Sequence, residues 1–332
     1  MSGISRNAVL ALSVVALVGA VVLGVSFGTD DYSLLRALSD SGSADHDVII
    51  GVRLPRVLLG VVAGAGLSLV GVALQALLRN PLAEPFVLGV SGGSALGATI
   101  AILGGLTTAT ILGASLVPLA ALAGGVAATV LVHTLASAAP GSRATSMLLA
   151  GVIVNAIASA GITFLKTLVS QSKAQELLFW LMGFLDVPST TSLIAIAVYV
   201  SIGSAILLFD APRLNLLSLG DEAAAHLGVP VRSLELRVLG ASSMIVGAIV
   251  SVTGLIGFVG LIVPHVLRRL LGPDTRVLMP ASIALGGAML VMCDLASRAS
   301  FRWLHTEPPV GAITALVGGP FFLVLLRSAR PR

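Results

Sequence analysis

The sequence predicts an all-α membrane protein, a bundle of about ten transmembrane helices. Hydrophobic residues make up 56% of the 332-residue chain and charged residues only 10%, with a mean hydropathy of +1.05. A soluble domain would carry roughly a quarter of its residues charged. Apolar runs of about 20 residues, the length that crosses a bilayer as a helix, recur along the chain, whereas a β-barrel would alternate in shorter segments. We therefore treat residues 1–332 as one transmembrane domain.

Ten apolar runs, separated by polar connections, define the predicted spans. The first is interpreted as a retained helix and not as a signal peptide, because no convincing small-residue cleavage site follows it. Between Pro85 and Ser142 no residue is charged, and that stretch is long enough for two helices. The eighth run is short and crosses only if its helix starts earlier or lies against protein. The spans are residues 8–27, 57–78, 91–106, 114–135, 144–165, 187–209, 238–256, 257–267, 277–293 and 309–326.

Ten crossings place both chain ends on the same side of the membrane. The positive-inside rule assigns that side to the cytoplasm, because twelve of the nineteen Lys and Arg residues fall there, Arg330 and Arg332 among them. Residues 32–52 are then an outside loop, and residues 174–185 are predicted to form a short helix at the outer membrane boundary. The similar openings of the second and seventh spans are a weak indication of an inverted repeat.

Residues 210–237 are one of the few long polar interruptions and are predicted to fold as two short helices. The first covers residues 214–219. The second begins at Asp221, where a carboxylate suits the positive end of the helix dipole, and ends at Gly228, with Pro230 preventing its continuation. Outside the membrane, such a pair of helices forms either a simple loop or a rigid knob that fits a groove on another protein.

Several classes of chemistry are missing from the sequence. No phosphate-binding GxxxxGK[ST] loop is present, so any use of ATP requires a partner. The histidines lack zinc spacing, no GxSxG nucleophile motif occurs, and the single Cys293 excludes an intrachain disulfide. A carrier driven by protons or sodium usually needs an acidic residue near the membrane midplane. The one candidate, Asp294, is four residues before Arg298 and is predicted to pair with it near the outer end of the ninth span.

Four motifs follow one another along nearly the whole chain. They are RLPR at residues 53–56, ALLRNPLAEPFVLGVSGG at 76–93, LSLGDEAAAHLGV at 217–229 and GLIGFVGLIVPHVLRRLLGPDTR at 254–276. Together they resemble the FecCD-type permeases, the membrane subunits of ATP-driven importers for ferric siderophores, haem and vitamin B12. The resemblance implies a vitamin-B12-importer-like permease fold with an inverted repeat, in a bacterial cytoplasmic membrane with both termini in the cytoplasm.

The resemblance also implies partners and a cargo. Two copies would form the pathway along a shared two-fold axis, above two ATPase subunits that bind ATP and magnesium. A periplasmic or lipid-anchored binding protein would deliver the cargo, which is expected to be a ferric siderophore, with haem and vitamin B12 as alternatives. The chain itself is expected to be no enzyme and to need no cofactor or metal.

Finally, the resemblance implies roles for individual residues. ATPase contact is expected from Leu216, Leu217, Leu219, Gly220, Asp221, Glu222, Ala223, Ala224, His226, Leu227 and Gly228. Docking of the binding protein is expected at Arg53, Arg56 and Arg298, and a cytoplasmic gate at Asn80, Leu82, Thr145 and Ser146. Asn155, Ser159 and Thr163 form a polar stripe at i, i+4 and i+8 on the fifth span, which fits helix packing or pathway lining. Because the fifth span lines the pathway in the family, lining is favoured.

Overall fold

The computed structural model describes residues 6–86, 88–106, 110–111, 114–138 and 143–328, and helices dominate these residues. Arg330 and Arg332, counted above, lie outside the described residues. The helices are α1 (Arg6–Ser26), α2 (Leu34–Ser39), α3 (Ala44–Val48), α4 (Leu54–Leu77), α5 (Val90–Leu103), α6 (Val117–Ala138), α7 (Arg143–Thr167), α8 (Gln171–Leu181), α9 (Thr190–Leu217), α10 (Asp221–His226), α11 (Val231–Thr253), α12 (Val259–Leu271), α13 (Thr275–Leu304) and α14 (Val310–Ser328). A π-helical turn, Ile49–Arg53, joins α3 to α4, and the two-residue strands β1 (Thr110–Ile111) and β2 (Ala114–Ser115) pair antiparallel.

The predicted all-α membrane fold is confirmed. Within the described ranges, seven helical segments are long and apolar enough to cross a membrane. The shorter helices α5, α12 and α14 lie where the remaining three spans were predicted. Counted this way, successive spans run in alternating directions. We call the end of the bundle where α9 ends and α11 begins the coupling end, and the other the far end.

The centre of the bundle is α4, which packs against α9, α11, α12 and α13. Small residues let these helices approach closely, as is typical of helices packed in lipid. A Cβ atom added to Gly64 would lie 2.2 Å from the carbonyl oxygen of Gly286 on α13. One added to Gly71 would lie 1.9 Å from the carbonyl oxygen of Gly260 on α12. Neither position of α4 has room for a side chain.

The short helix α12 begins inside the bundle. Its first turn lies against Gly71, six residues before the end of α4, which is about 9 Å along the helix axis. Phe258, immediately before α12, has a φ of +68°, a left-handed conformation that a side chain disfavours. The chain can turn at this depth because the turn is surrounded by protein. This is the second of the two alternatives for the eighth span, in which the short helix lies against protein.

A second segment also returns into the bundle. Residues 78–86 and 88–89, which we call the strap, lie between the end of α4 and the start of α5. A Cβ atom added to Gly260 would lie 3.5 Å from Cδ of Pro85, so the strap rises alongside the start of α12. Gly89, at a φ of +76°, immediately precedes α5, which is 14 residues long. Consequently both α5 and α12 are half-length helices that start within the bundle.

Three predictions about local structure need correction. The separate helix predicted at residues 214–219 does not exist, because α9 continues from the membrane to Leu217 without a break. Residues 32–52 are not a plain loop: they contain α2, α3 and most of the π-helical turn. The boundary helix predicted at residues 174–185 is observed as α8, shifted a few residues toward the N-terminus.

Candidate functional site

The knob, which we define as residues 218–229, is the exposed connection between α9 and α11. Its helix, α10, is preceded by Gly220 at a φ of +111° and followed by Gly228 at a φ of +84°, which are glycine conformations. The N–H of Val229 donates to the carbonyl of Ala224, and the N–H of Gly228 donates to that of Ala225, each at 3.0 Å. This is the Schellman pattern, so the predicted glycine end of the helix is confirmed.

The knob is held by two small side chains and exposes larger ones. Ala224 is fully buried and Val229 is 5% exposed, so both anchor the turn against the bundle. Leu219 and Leu227 are 63% and 58% exposed, an unusual position for large apolar residues outside the spans. The remaining predicted ATPase-contact residues divide into the exposed Asp221, Glu222, Ala223, His226 and Gly228, the half-buried Leu216 and Gly220, and the buried Leu217. The knob therefore presents an exposed surface on a short, capped helix.

A buried carboxylate braces the base of the knob. Asp210, on α9, has a fully buried side chain, and both of its oxygens accept hydrogen bonds from Arg237 of α11, at 2.7 and 2.9 Å. Arg213, one turn further along α9, donates a third hydrogen bond at 2.6 Å. These charge-assisted bonds lock the last turns of α9 to the first turns of α11. Sequence reasoning missed this cluster, although two arginines around one acidic residue at the edge of a span were a visible signal.

A second brace joins α9 to α13. The amide of Asn215 donates to Asp274 at 2.7 Å and accepts from the N–H of Thr275 at 2.8 Å, while the Thr275 hydroxyl donates to the carbonyl of Ala211 at 2.6 Å. Asp274 caps α13, and its hydrogen bonds with Arg276 hold the pKa of the carboxyl far below its usual range. With its base fixed to both α11 and α13, the knob is rigidly connected to the bundle.

The knob also contacts the strap, which contains two of the predicted gate residues. Arg79, at the start of the strap, donates to Asp221 of α10 at 2.8 Å. Of the predicted gate residues, Asn80 uses its Oδ1 to accept the N–H of Leu82 at 2.9 Å, which forms a tight turn, and Leu82 is 36% exposed. The other two, Thr145 and Ser146, lie in the first turn of α7, exposed and half-buried. The structure thus brings the strap and the knob together at the coupling end.

The polar stripe of α7 divides into two parts. Oδ1 of Asn155 lies against Gly92 of α5, so closely that a Cβ atom on that glycine would collide with it. Ser159 and Thr163 are exposed, and the Thr163 hydroxyl donates to the Ser159 carbonyl at 2.9 Å. Asn155 therefore packs between helices, while the other two face away from the protomer.

Glu84 is a candidate that sequence reasoning left as a solvated residue of a turn. It is half-buried, and its carboxyl group lies close to the backbone N–H of Phe258 at the start of α12. It also lines a cavity of about 600 Å³, together with the segment that precedes α12 and the first turn of α14. Among the described residues that line this cavity, Glu84 is the only ionisable one.

At the far end, two of the three predicted docking arginines form one cluster with Asp294. Arg56 and Arg298 each donate through Nε to a different oxygen of Asp294, both at 2.9 Å, and Arg56 also reaches Glu307 at 3.0 Å. Asp294 is 1% exposed. The predicted pairing of Asp294 with Arg298 is confirmed, so the carboxylate that a proton-driven carrier would need already bridges two guanidinium groups.

Two of the three predicted docking arginines also close the end of α1. Arg298 donates to the carbonyls of Gly24 and Phe27, at 2.8 and 3.0 Å, and Arg53 donates to that of Ser26 at 2.9 Å. Carbonyls at a helix C-terminus lack partners within the helix, and these side chains supply them. Arg53 and Arg298 are only 5% and 4% exposed. Both side chains are therefore committed within the protomer, and their docking role stays a prediction.

Comparisons with known proteins agree with this geometry. A profile described as the FecCD transport family matches residues 12–328. The cobalamin import system permease BtuC of Halobacterium salinarum is 43% identical over 86% of this chain and 75% of its own length. The hemin transport system permease HmuU of Yersinia pestis is 37% identical over 88% and 86% of the two chains. The Fe(3+)-citrate import system permease YfmD of Bacillus subtilis is 32% identical over 98% and 96%.

A solved structure is also similar over nearly its whole length. It is described as an inward-facing conformation of a putative metal-chelate type ABC transporter, is 33% identical, and superimposes with a TM-score of 0.83 over 97% of this chain and 99% of that one. Together with the family match over residues 12–328, it identifies the architecture. The chain is an integral membrane permease of the ABC importer class and belongs to the FecCD transport family.

Proposed function

We propose that this chain is the translocating subunit of an importer that carries a metal chelate across the cytoplasmic membrane of a prokaryote. It works as a homodimer, with two separate ATPase subunits at the coupling end and a substrate-binding protein at the far end. Both termini and the knob lie in the cytoplasm. The observation that carries this proposal is the knob, an exposed capped helix whose base is braced to both α11 and α13.

The exposed leucines of the knob support its role as the ATPase contact. Leu219 and Leu227 remain uncovered in the protomer, and an amphipathic helix that inserts into a groove uses apolar anchors of this kind. The brace at Asp210 makes the knob move with α9 and α11 and not independently of them. A partner that closes on ATP can then bias the whole permease toward one of two states, by binding that state more tightly.

Transport follows as alternating access. On this proposal the gate residues Asn80, Leu82, Thr145 and Ser146 close the coupling end in one state and open it in the other. The contact of Arg79 with Asp221 supports a direct link from the knob to the strap that holds two of them. Ser159 and Thr163 line the pathway at the two-fold axis, and their exposure in the protomer supports this.

The knob assignment is tested by substituting one exposed leucine at each end of the bundle. Leu227→Asp should abolish co-purification with the ATPase while leaving the permease folded, because it places a charge in the centre of the proposed contact. Leu35→Asp is the matched control, since Leu35 is 81% exposed at the far end. If both variants retain stoichiometric ATPase, the knob is not the coupling element.

Docking of the binding protein is proposed around the arginine cluster of the far end, at Arg53, Arg56 and Arg298. Arg302, which is a neighbour of the cluster and whose side chain is 46% exposed, provides an accessible positive charge beside it. Charges at the edge of an interface mainly change the rate of association. Arg302→Glu should therefore slow capture of the loaded binding protein by about tenfold. Arg36→Glu, on α2 and also exposed, is the control; equal capture rates in both variants would contradict the proposed location.

The proposed cargo is a ferric siderophore. Similarity to an Fe(3+)-citrate permease and to a transporter described as metal-chelate type supports an iron chelate. Cobalamin is the second candidate, because the cobalamin permease is the most identical of the relatives compared above, and haem is the third. All three are bulky metal complexes, so one pathway is compatible with each.

Reconstituted transport distinguishes these cargoes. Proteoliposomes would contain the permease with its own ATPase and binding protein, and uptake of a ferric siderophore, haem and cobalamin would be compared at equal concentration. ATP-dependent uptake of the siderophore above the other two is the expected result. Preferential uptake of cobalamin would replace the cargo assignment but keep the mechanism. Uptake that needs a proton gradient and no ATP would refute the importer mechanism itself.

A further inference from the structure

A cavity of about 590 Å³ lies at the coupling end, between the ends of α4 and α12 and the polar residues that join α9 to α13. Three arginines line it, namely Arg6 of α1, Arg79 of the strap and Arg268 of α12. Asp274 is the only carboxylate among the described residues that line it. Arg79 is already paired with Asp221 of the knob at 2.8 Å, so two arginines, Arg6 and Arg268, remain against the one carboxylate of the wall. We call this space the basic cavity.

The single carboxylate is already occupied. Asp274 accepts hydrogen bonds from the Asn215 amide at 2.7 Å and from the guanidinium of Arg276 at 2.9 and 3.1 Å. Arg6 approaches it only to 3.9 Å and keeps 62% of its side chain exposed. The contact with Arg6 is therefore weak, and Asp274 does not neutralise the cavity.

Arg268 is the least compensated of the three arginines. It donates one hydrogen bond, from Nη2 to Oε1 of Gln75 at 3.1 Å, and forms no ion pair within the described ranges. Its Nε is buried and has no hydrogen-bond partner among the described residues. A guanidinium carries five N–H donors, and buried charges in proteins are normally paired. The wall thus holds a charge and a donor that the protomer itself does not satisfy.

The geometry points to a phosphate-bearing anion as the missing partner. A guanidinium fork donates two parallel hydrogen bonds to a phosphate, and arginine is favoured wherever phosphate is recognised this way. Basic pockets between transmembrane helices near the membrane surface are also typical sites for lipid head groups. We propose that the basic cavity binds a phosphate group, supplied by an anionic phospholipid or by free inorganic phosphate, with Arg268 as its main ligand.

The site would act on the base of the knob. Asn215 lines the basic cavity and also braces α9 to α13, and Arg79 lines it while it pairs with Asp221 of the knob. An anion bound there would hold α4, α9 and α12 around one charge. The proposal goes beyond the transport function: it would stand even if the cargo or the ATPase contact were assigned wrongly.

The test uses the full-length permease, purified and delipidated in detergent, and binding measured by native mass spectrometry. Phosphatidylglycerol, phosphatidylcholine and inorganic phosphate are the three probes. Arg268→Gln removes the main ligand, and Arg6→Gln is a second variant on an exposed side chain that leaves the core intact. Arg269→Gln is the matched control, because Arg269 is the neighbouring residue, is exposed and does not line the basic cavity.

We expect phosphatidylglycerol to bind at least about tenfold more tightly than phosphatidylcholine, and Arg268→Gln to lose most of that preference while Arg269→Gln keeps it. Arg6→Gln should weaken the preference to a smaller extent. If the two lipids bind equally but phosphate binds with the same dependence on Arg268, the site is confirmed and its ligand is the free anion. If Arg268→Gln and Arg6→Gln bind phosphatidylglycerol and inorganic phosphate as tightly as Arg269→Gln does, the proposal is wrong.

Discussion

Replacement of Asp210 by asparagine tests whether the base of the knob is held by a buried ion pair. The carboxylate is fully buried and accepts three hydrogen bonds, two from Arg237 and one from Arg213. A hydrogen bond to a charged group contributes about 1.5–3 kcal/mol, so three such bonds contribute roughly 4.5 kcal/mol if each lies at the low end of that range. The arginine side chains are 35% and 36% exposed and can recover hydration, and asparagine keeps one acceptor. We therefore expect Asp210→Asn to lower the free energy of unfolding by about 3 kcal/mol.

The assay is unfolding of the purified permease by a titration of dodecyl sulfate in mixed micelles, followed by the loss of helical circular dichroism. Asp221→Asn is the matched control, because it removes the same charge from an exposed ion pair. In that pair the side chain of Asp221 is 49% exposed and that of Arg79 is 40% exposed. Exposed pairs contribute about 0–1 kcal/mol, so this variant should unfold close to the wild type. If the two variants unfold at the same midpoint, the brace does not stabilise the base of the knob, and the argument for a rigid knob fails.

Two further predictions concern the core and the far end. Gly71→Ala should destabilise the permease by roughly 3 kcal/mol or more, because the new Cβ atom would collide with the Gly260 carbonyl. Gly240→Ala is the control and should be neutral or stabilising, because nothing lies within 4 Å of its added Cβ atom. Thermal unfolding in detergent compares the two variants, and equal stabilities would refute the close approach of α4 and α12. Asp294→Asn should cost about 3 kcal/mol, because it leaves the buried Arg298 without its carboxylate and Arg56 with Glu307 alone. Arg302→Gln, at an exposed pair, should change stability by less than about 1 kcal/mol. The same stability for both of these variants would show that the far-end cluster is not structural.

The sequence alone was enough to predict the membrane-spanning helices, because hydropathy records directly which segments can lie in lipid. The half-length of α12 was also visible, since the run 257–267 was too short to cross unaided. The glycine end of α10 was predictable for a different reason. The left-handed conformation at Gly228 is a local property, and the following proline excludes any continuation of the helix.

The errors arose where distant residues determine local structure. Asp210 was taken as the start of a polar stretch, and a helix break was therefore predicted there. In the structure its charge is neutralised by Arg237, 27 residues away, so α9 continues through it to Leu217. Likewise Arg56 is 238 residues from Asp294, and no local pattern reveals that these side chains meet. Residues this far apart in the chain meet only because whole helices pack together. That packing cannot be inferred from the pattern of a single sequence.

The strap has a mechanical consequence for how the two half-length helices respond to an applied force. It is fastened at one end to the knob, through Arg79, and further along to the start of α12, through Glu84 and the N–H of Phe258. It also continues directly into α5. A displacement of the knob together with α9 and α11 would therefore also act on the inner ends of α5 and α12, because the strap connects the knob to both half-length helices.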